Sequence, residues 1–557
     1  MSVSAVAAAK PPARVRFSPL PLVLLGSALL WSVLFSSIGV EGQDFPLNDD
    51  WAFGRGALSL ARGDGIHYFD WAAMPQLGQW LWACPFVWAL GPSCVALRIS
   101  TIVLSWLGLW AFYDLLRQQG RPPAAAALAA AALALNPLFV VLQGTFMTDV
   151  PALSFSLIAL ALYRRAIRSG RPATLAAAVA VMLLGVSTRQ NTAVVAVVAA
   201  VLLWRARPLR FKPVWVLGVV LPALAAVAIH VWLRARPDVR HVRFTVPPAL
   251  VWVWLLFSAA VYAGLSVLSA VILSPRPASW KWFAAFAAVL AVGAWLWWRF
   301  PGWPVRYDGG LFPYMDNMLS PWGAFAASRY TGRIIHGDRP LLLDPGCRFI
   351  LTVLGCGSGA WLLARIASEI RRGVLGSPLV LFTLLQIPLI LAAPEIFDRY
   401  VLFLFPGALA LAVPADGSPR ARWVPAAGLV ALFGAVSAGL MHDWLAWNSA
   451  RWELGRRAVV HRHIDPHDIE GGFEWDGWFC PDPPPRYRYV GPPGLTLRFS
   501  NALFGNITGR YALSFSRLPQ TRVVDTQPYH LWLLPGHRVF YLLEFAPPAA
   551  GQPGPRS

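Results

Sequence analysis

Charged residues are scarce in this sequence, 13% of 557 positions against 57% hydrophobic, whereas an ordinary soluble domain carries about 25% charge. That balance excludes a water-soluble globular enzyme and leaves a polytopic membrane protein. Cysteine is rarer still: Cys84, Cys94, Cys347, Cys356 and Cys480. They show no ligand-like spacing and most lie in or beside apolar segments, so they read as buried thiols rather than a zinc site or a disulfide framework. Acid is the scarcer sign, 27 residues against 47 basic ones. A net charge of +20 raises nucleic acid as a partner, but the basic residues sit in short clusters between apolar runs, with no basic face and no nucleic-acid motif. The excess of Lys and Arg on the cytoplasmic loops of membrane proteins accounts for them better. No repeat of fixed period is apparent.

What is present is a succession of apolar runs at approximately 17–38, 94–116, 123–143, 148–166, 173–188, 190–206, 213–233, 247–273, 280–300, 348–368, 375–393, 398–414 and 422–441. They make about thirteen candidate spans, each near the roughly 20 residues a membrane requires. The first follows Lys10, Arg14 and Arg16; it is too long for a signal-peptide core and lacks a cleavage pattern, so it reads as an uncleaved helix. Residues 76–90, rich in tryptophan and interrupted by Pro85, are short for a span and read as interfacial.

With a cytoplasmic N-terminus the inner loops receive Arg117/Arg121, Arg164/Arg165/Arg168/Arg171, Arg205/Arg207/Arg210/Lys212, Arg276/Lys281, Arg365/Arg371/Arg372 and Arg420/Arg422. One loop departs from the rule: Arg234, Arg236, Arg240 and Arg243 fall outside, through a miscounted span or because they meet an anionic ligand. The Ala-rich stretch 124–134 and Gly355-Cys356-Gly357-Ser358-Gly359 read as helix-packing surfaces. The expected fold is an all-α polytopic membrane bundle over residues 1–441, with a first outer loop at 40–75 and a large one at 301–347. A small extracytoplasmic α/β domain follows over 442–557, built on β-like runs at 495–499, 511–515 and 538–543.

Polar groups at span ends are costly, and each invites a functional reading. Asp49 and Asp50 follow the first span directly; two adjacent carboxylates suit a catalytic base, or simply cap a helix starting at Trp51. Asp149, in Thr148-Asp149-Val150-Pro151, falls at the same face and is equally explained as an N-cap followed by proline. Arg189, in the polar break Ser187-Thr188-Arg189-Gln190-Asn191, is harder to dismiss, because a buried guanidinium needs an anionic partner. Arg399 follows Asp398 and pairs with it, with lipid headgroups or with a ligand. Carboxylates suit proton abstraction from a hydroxyl, and arginines suit a phosphate held by forked hydrogen bonds. Their convergence at one face points to a lipid-phosphate substrate.

The order of these features resembles the GT-C superfamily of integral membrane glycosyltransferases. Within it, the chain looks most like the branch containing the dolichyl-phosphate-mannose protein mannosyltransferases and the bacterial aminoarabinose transferases of lipid A. The matching pieces are the Asp49-Asp50 pair with Phe53 after it, the turn Met147-Thr148-Asp149-Val150-Pro151, and Asp398-Arg399-Tyr400-Val401-Leu402 followed by Pro406. The resemblance implies inverting transfer of a sugar from a polyprenyl-phosphate donor to a lipid, glycan or protein acceptor, at the outer face of a bacterial inner membrane, facing the periplasm or cell exterior. By its spacing to Phe53, Asp49 takes the place of the catalytic aspartate; Asp50 and Asp149 complete the acidic set. Arg189 and Arg399 would hold the departing phosphate, Arg189 departing from the Lys-containing pattern of some members.

Asp398 and Gln190, beside these arginines, are further candidate substrate contacts. So are Glu474 and Trp475 in Asp468-to-Trp478, a stretch like one that follows the last span in bacterial members and otherwise a linker packed on the membrane surface. The cluster His461-Arg462-His463-Ile464-Asp465-Pro466-His467 resembles a metal site only in composition, and the sequence carries no metal motif, leaving the use of a divalent cation open. Membrane lipids are expected partners, and nucleic acid is not. Two other functions compete: a transporter or flippase of lipid-linked sugars, which would place ionisable groups deep within its spans, and a non-catalytic scaffold of envelope glycan assembly.

Overall fold

The computed structural model describes residues 18–69, 71–206, 212–239, 249–274, 280–299, 317–325, 335–370, 377–392, 397–414, 420–479, 507 and 509–545. The N-terminal basic cluster, Cys480, Arg240, Arg243 and the run 495–499 lie outside these residues. Helices α1 (Leu20–Ile38), α2 (Asp50–Arg62), α3 (Leu77–Leu90), α4 (Cys94–Gln118), α5 (Pro123–Ala134) and α6 (Pro137–Gln143) come first. They are followed by α7 (Asp149–Ser169), α8 (Pro172–Val186), α9 (Val194–Arg205), α10 (Pro213–Ala235), α11 (Ala249–Leu273) and α12 (Trp280–Arg299). After the hairpin β1 (Leu319–Ser320) and β2 (Gly323–Ala324) come α13 (Pro345–Ile370), α14 (Pro378–Leu391), α15 (Phe405–Ala412) and α16 (Trp423–Arg462).

This is a membrane-spanning helical bundle. Among the described residues 7 helices are long and apolar enough to cross a membrane, or 8 if α5 and α6, bent by 62° at their break, count as one. The apolar helices α8, α14 and the stretch 190–205 are shorter, so helices occupy the expected runs, and 7 or 8 of them meet that length and apolarity among the described residues. Proline sets several of the helix starts: Pro123, Pro137, Pro172, Pro213 and Pro378 stand in first turns, where their missing N–H costs nothing. The small-residue stretches pack as expected. Ala125, Ala126, Ala129 and Ala130 are buried, and Gly264 faces the backbone of Gly355 and Gly359, so α11 and α13 approach to backbone contact.

The two ends of the bundle differ. At one end Arg164 and Arg168 donate to the carbonyl of Gln118, Arg165 pairs with Asp114, Ser377 donates to Gln119, and Arg422 donates to Ser274. The loops expected on the cytoplasmic side therefore meet one another. The discordant loop meets the opposite end: Arg236 pairs with Asp238 at 2.7 Å and donates to the carbonyl of Ile66, while Asp238 accepts from the N–H of Tyr68. Residues 66–68 belong to the loop expected on the outer side, and Arg236 is an ion-paired strut against it.

The C-terminal portion has a short helix α17 (Phe473–Trp478) and strands β3 (Ile469–Glu470), β4 (Tyr511–Ser514), β5 (Thr521–Tyr529) and β6 (Arg538–Phe545), in sheet order β3-β4-β6-β5. The runs expected at 511–515 and 538–543 fall on β4 and β6; β5 lacked a clear alternation and went unread. The division proposed at residue 441 falls inside α16, a continuous helix of 40 residues on which β5 and β6 pack. Bundle and sheet are thus joined by a shared helix.

Candidate active site

Asp49 ends a tight turn whose preceding residue, Asn48, adopts φ 53°, a left-handed conformation that Asn tolerates better than most residues. The Asn48 N–H donates to Glu474 Oε1 at 3.1 Å, and Glu474 Oε2 accepts from Arg451 Nη2 at 2.9 Å. The turn is thus held by the C-terminal segment. Asp49 occupies the N-cap position of α2 but makes no side-chain cap bond. Its Oδ1 instead accepts from Trp71 Nε1 at 2.7 Å, and its Oδ2 lies 3.3 Å from Arg399 Nη1. Capping does not account for it.

Asp149 behaves in the same way. It is the first residue of α7, and no side-chain cap bond forms at Thr148 before it. Its Oδ1 lies 3.0 Å from Arg189 Nη1 and its Oδ2 3.9 Å from Arg399 Nε. Arg189, on the turn between α8 and α9, also donates to the Thr148 hydroxyl at 2.9 Å. Arg399 sits on a 3-10 turn, Asp398–Leu404, that enters α15. The result is a row of alternating charge, Arg189, Asp149, Arg399, Asp49, gathered from four distant segments. All four side chains are largely buried, with residue exposures of 9%, 0%, 4% and 8%. Tyr400 and Phe397 lay rings beside the guanidiniums, Arg189 at 5.0 Å over Tyr400 and Arg399 at 4.6 Å over Phe397.

Burial raises the carboxyl of Asp49 above its ordinary range, opposed by the charge of Arg399 and by the hydrogen bonds from Trp71 and Arg399. Such a carboxylate is more basic than a solvated one, as a proton acceptor near neutral pH requires. Neither oxygen of Asp149 accepts a well-formed hydrogen bond among the described residues, and the contacts of Arg189 to Asp149 and Thr148 both run through Nη1. The carboxylate can accept from a hydroxyl, and a guanidinium can donate to an oxyanion.

The remaining expected residues take other places. Asp50 points away from Asp49: it accepts from the N–H of Phe146 at 2.8 Å and of Leu47 at 3.3 Å, latching the first loop to the turn before Asp149. Burial pushes its carboxyl up to about 8, despite the charge of Arg98 and these two donors. Asp398, expected at a ligand, accepts from the N–H groups of Met318 and Leu319 at 3.0 and 2.8 Å and so anchors the β1–β2 hairpin beside Arg399. Gln190 donates to the carbonyl of Ala73 and fixes the strand of loop that carries Trp71. Trp475, expected to stack on a sugar, is 1% exposed and enclosed by Trp452, Phe479 and the backbone of Gly455; it offers no free face. His467 bonds to Asp465 and to the Phe479 carbonyl, and no group of metal-ligating side chains forms among the described residues.

Three participants went unseen in the sequence. Trp71 lies among many tryptophans with nothing to single it out. Arg98, 1% exposed, donates to the carbonyls of Gly144, Gln43 and Phe45, and a charge inside an apolar run was the available signal. Arg451, fully buried, joins Asn448, Gly471 and Glu474.

Residues 75–232 match the family model described as dolichyl-phosphate-mannose-protein mannosyltransferase. This stretch includes Asp149 and Arg189 and stops short of Asp49 and Arg399. No curated protein matches the chain. Among solved structures, the crystal structure of ArnT from Cupriavidus metallidurans bound to undecaprenyl phosphate is 14% identical, with TM-score 0.39, covering 96% of this chain and 99% of that one. The apo structure of the same ArnT is 13% identical, with TM-score 0.37, covering 95% and 98%.

Proposed function

We propose that this chain is a membrane glycosyltransferase that moves a sugar from a polyprenyl-phosphate donor to an acceptor hydroxyl at the outer face of the membrane, with inversion. The observation that carries the reading is the buried row Arg189–Asp149–Arg399–Asp49. A scaffold has no use for two uncapped carboxylates and two guanidiniums withdrawn from water, because each buried charge costs several kcal/mol before pairing, on the order of the stability it returns.

In this reading Asp49 accepts the proton of the acceptor hydroxyl. The freed oxygen attacks the anomeric carbon, and the bond from that carbon to the phosphate oxygen breaks on the opposite face, releasing the polyprenyl phosphate. Negative charge grows on that phosphate in the transition state; the positive charges of Arg189 and Arg399 offset it. Asp149 holds both arginines in register and offers its oxygens to a sugar hydroxyl. Asp50, Asp398, Gln190 and Glu474 position the loops that carry these groups. The family match over residues 75–232 supports the donor class.

The test is transfer in proteoliposomes with a panel of polyprenyl-phosphate sugars, comparing wild type with Asp49→Asn. Loss of a general base lowers rate by about 10²–10⁴-fold. Undiminished transfer by a normally folded Asp49→Asn protein would overturn the assignment. Lipid-linked sugar that crosses the bilayer without being transferred would identify a flippase instead.

A further inference from the structure

A second cleft lies away from the aspartates, where the β1–β2 hairpin, α16 and the C-terminal sheet meet. It is a partly open cavity of about 30 Å³, lined by Trp322, Leu342, Trp444, Trp447, Phe515 and Tyr529, together with Arg339 and Asp443. Asp443 is already engaged: it accepts from the N–H groups of Trp532 and Leu533 and bonds to His442. Arg339 is not. Its Nε, Nη1 and Nη2 are shielded from solvent and have no hydrogen-bond partner among the described residues. The guanidinium rests over the rings of Phe515 at 4.4 Å and Trp447 at 5.2 Å.

An unpaired buried guanidinium is rare because its five N–H donors lose their water for nothing in return. Two ring faces give back about 2 kcal/mol each at best, which does not replace five hydrogen bonds. An aromatic-walled cleft with one unsatisfied cation matches a sugar ring that bears a single negative group: the rings cover its apolar face, and the arginine forks onto the anion. The cleft also communicates with the aspartate site. Its hairpin is anchored by Asp398, the neighbour of Arg399, and Glu474, which holds Asn48 beside Asp49, is among the charges that act on Arg339. Burial, and secondarily the positive charge of Arg451, push the Arg339 guanidinium down to about 9. A bound anion would relieve both.

We propose that this cleft is an anion-binding subsite that takes a phosphate or carboxylate carried on a sugar, through Arg339. Its service to the acceptor rests on the transferase reading; its chemistry does not. The test uses full-length protein in phosphatidylcholine nanodiscs and equilibrium binding of radiolabelled glucose 6-phosphate, with glucuronate and glucose as competitors. Wild type is expected to bind saturably, with competition by glucuronate and none by glucose. Arg339→Met should weaken binding by at least about tenfold, the loss of one charge-assisted fork, while Arg339→Lys retains part of it. Because the native guanidinium lacks partners, Arg339→Met should unfold at the same or a higher temperature than wild type. A structural role would lower it.

A second arm adds phosphatidate to the nanodiscs: a rise in unfolding temperature seen in wild type and absent in Arg339→Met assigns the anion to a lipid headgroup. No response to either phosphate, or equal binding by wild type and Arg339→Met, overturns the site. Asp49→Asn should lose transfer and keep glucose 6-phosphate binding, so the two readings fail separately.

Discussion

Replacing Trp71 by Phe removes one donor from the proposed base. The indole Nε1 donates to Asp49 Oδ1 at 2.7 Å, while the ring packs 5.7 Å from that of Trp51 and 5.3 Å from that of Phe473. A phenyl ring keeps most of that packing. A hydrogen bond to a charged group contributes about 1.5–3 kcal/mol, and each 1.36 kcal/mol in a barrier is about tenfold in rate. Loss of the bond's orienting effect therefore corresponds to a drop in kcat of about ten- to a hundredfold, at the lower end because an undonated carboxylate is also a stronger base.

The pH profile carries an independent sign. The indole bond favours the ionised carboxylate, so removing it adds to the upward push that burial already exerts on Asp49. A base works when ionised; activity rises as pH rises through the folded-state pKa, and Trp71→Phe moves that acidic limb to higher pH. The assay is initial rates of sugar transfer in proteoliposomes over about pH 4 to 9, alongside thermal unfolding. A folded Trp71→Phe protein with wild-type rate and an unmoved limb would detach Trp71 from the chemistry of Asp49.

Two further outcomes bear on the frame around the site. The Asp50 carboxyl stands at about 8 in the folded protein, above the roughly 3.9 of an unfolded chain; the folded state keeps a proton the unfolded chain gives up. Asp50's share of stability is therefore full below about pH 4 and declines toward pH 8, by at most about 1.4 kcal/mol per pH unit. Asp50→Asn should flatten the unfolding temperature across that window, and an equally sloped variant would refute the assignment. At the α11–α13 crossing, a Cβ on Gly359 would stand 2.6 Å from the Ala260 carbonyl oxygen. Gly359→Val should lower stability by about 1–3 kcal/mol, read as a lower unfolding temperature, whereas Gly428, with nothing within 4 Å of such a Cβ, should accept Ala with little change.

By itself the sequence determined the solvent of this protein, because 57% hydrophobic residues in runs long enough to span a bilayer have no other stable home. It also placed Asp49, Asp149, Arg189 and Arg399 at the ends of apolar runs, where ionisable groups cost least. Sequence reasoning stopped where roles depend on direction. Asp49 and Asp50 are adjacent and chemically identical, yet the left-handed turn at Asn48 sends one carboxylate to Arg399 and the other to the Phe146 backbone.

The same holds elsewhere. Trp475 and Trp71 look alike in the sequence, but one is walled in by Trp452 and the other reaches Asp49. Arg236 breaks the charge rule until Asp238 and Ile66 are seen beside it. Arg339 lay in a loop with no signal at all. Only packing decides which guanidinium is paired and which is left waiting for an anion, because the cost of a buried charge depends on the few ångströms around it.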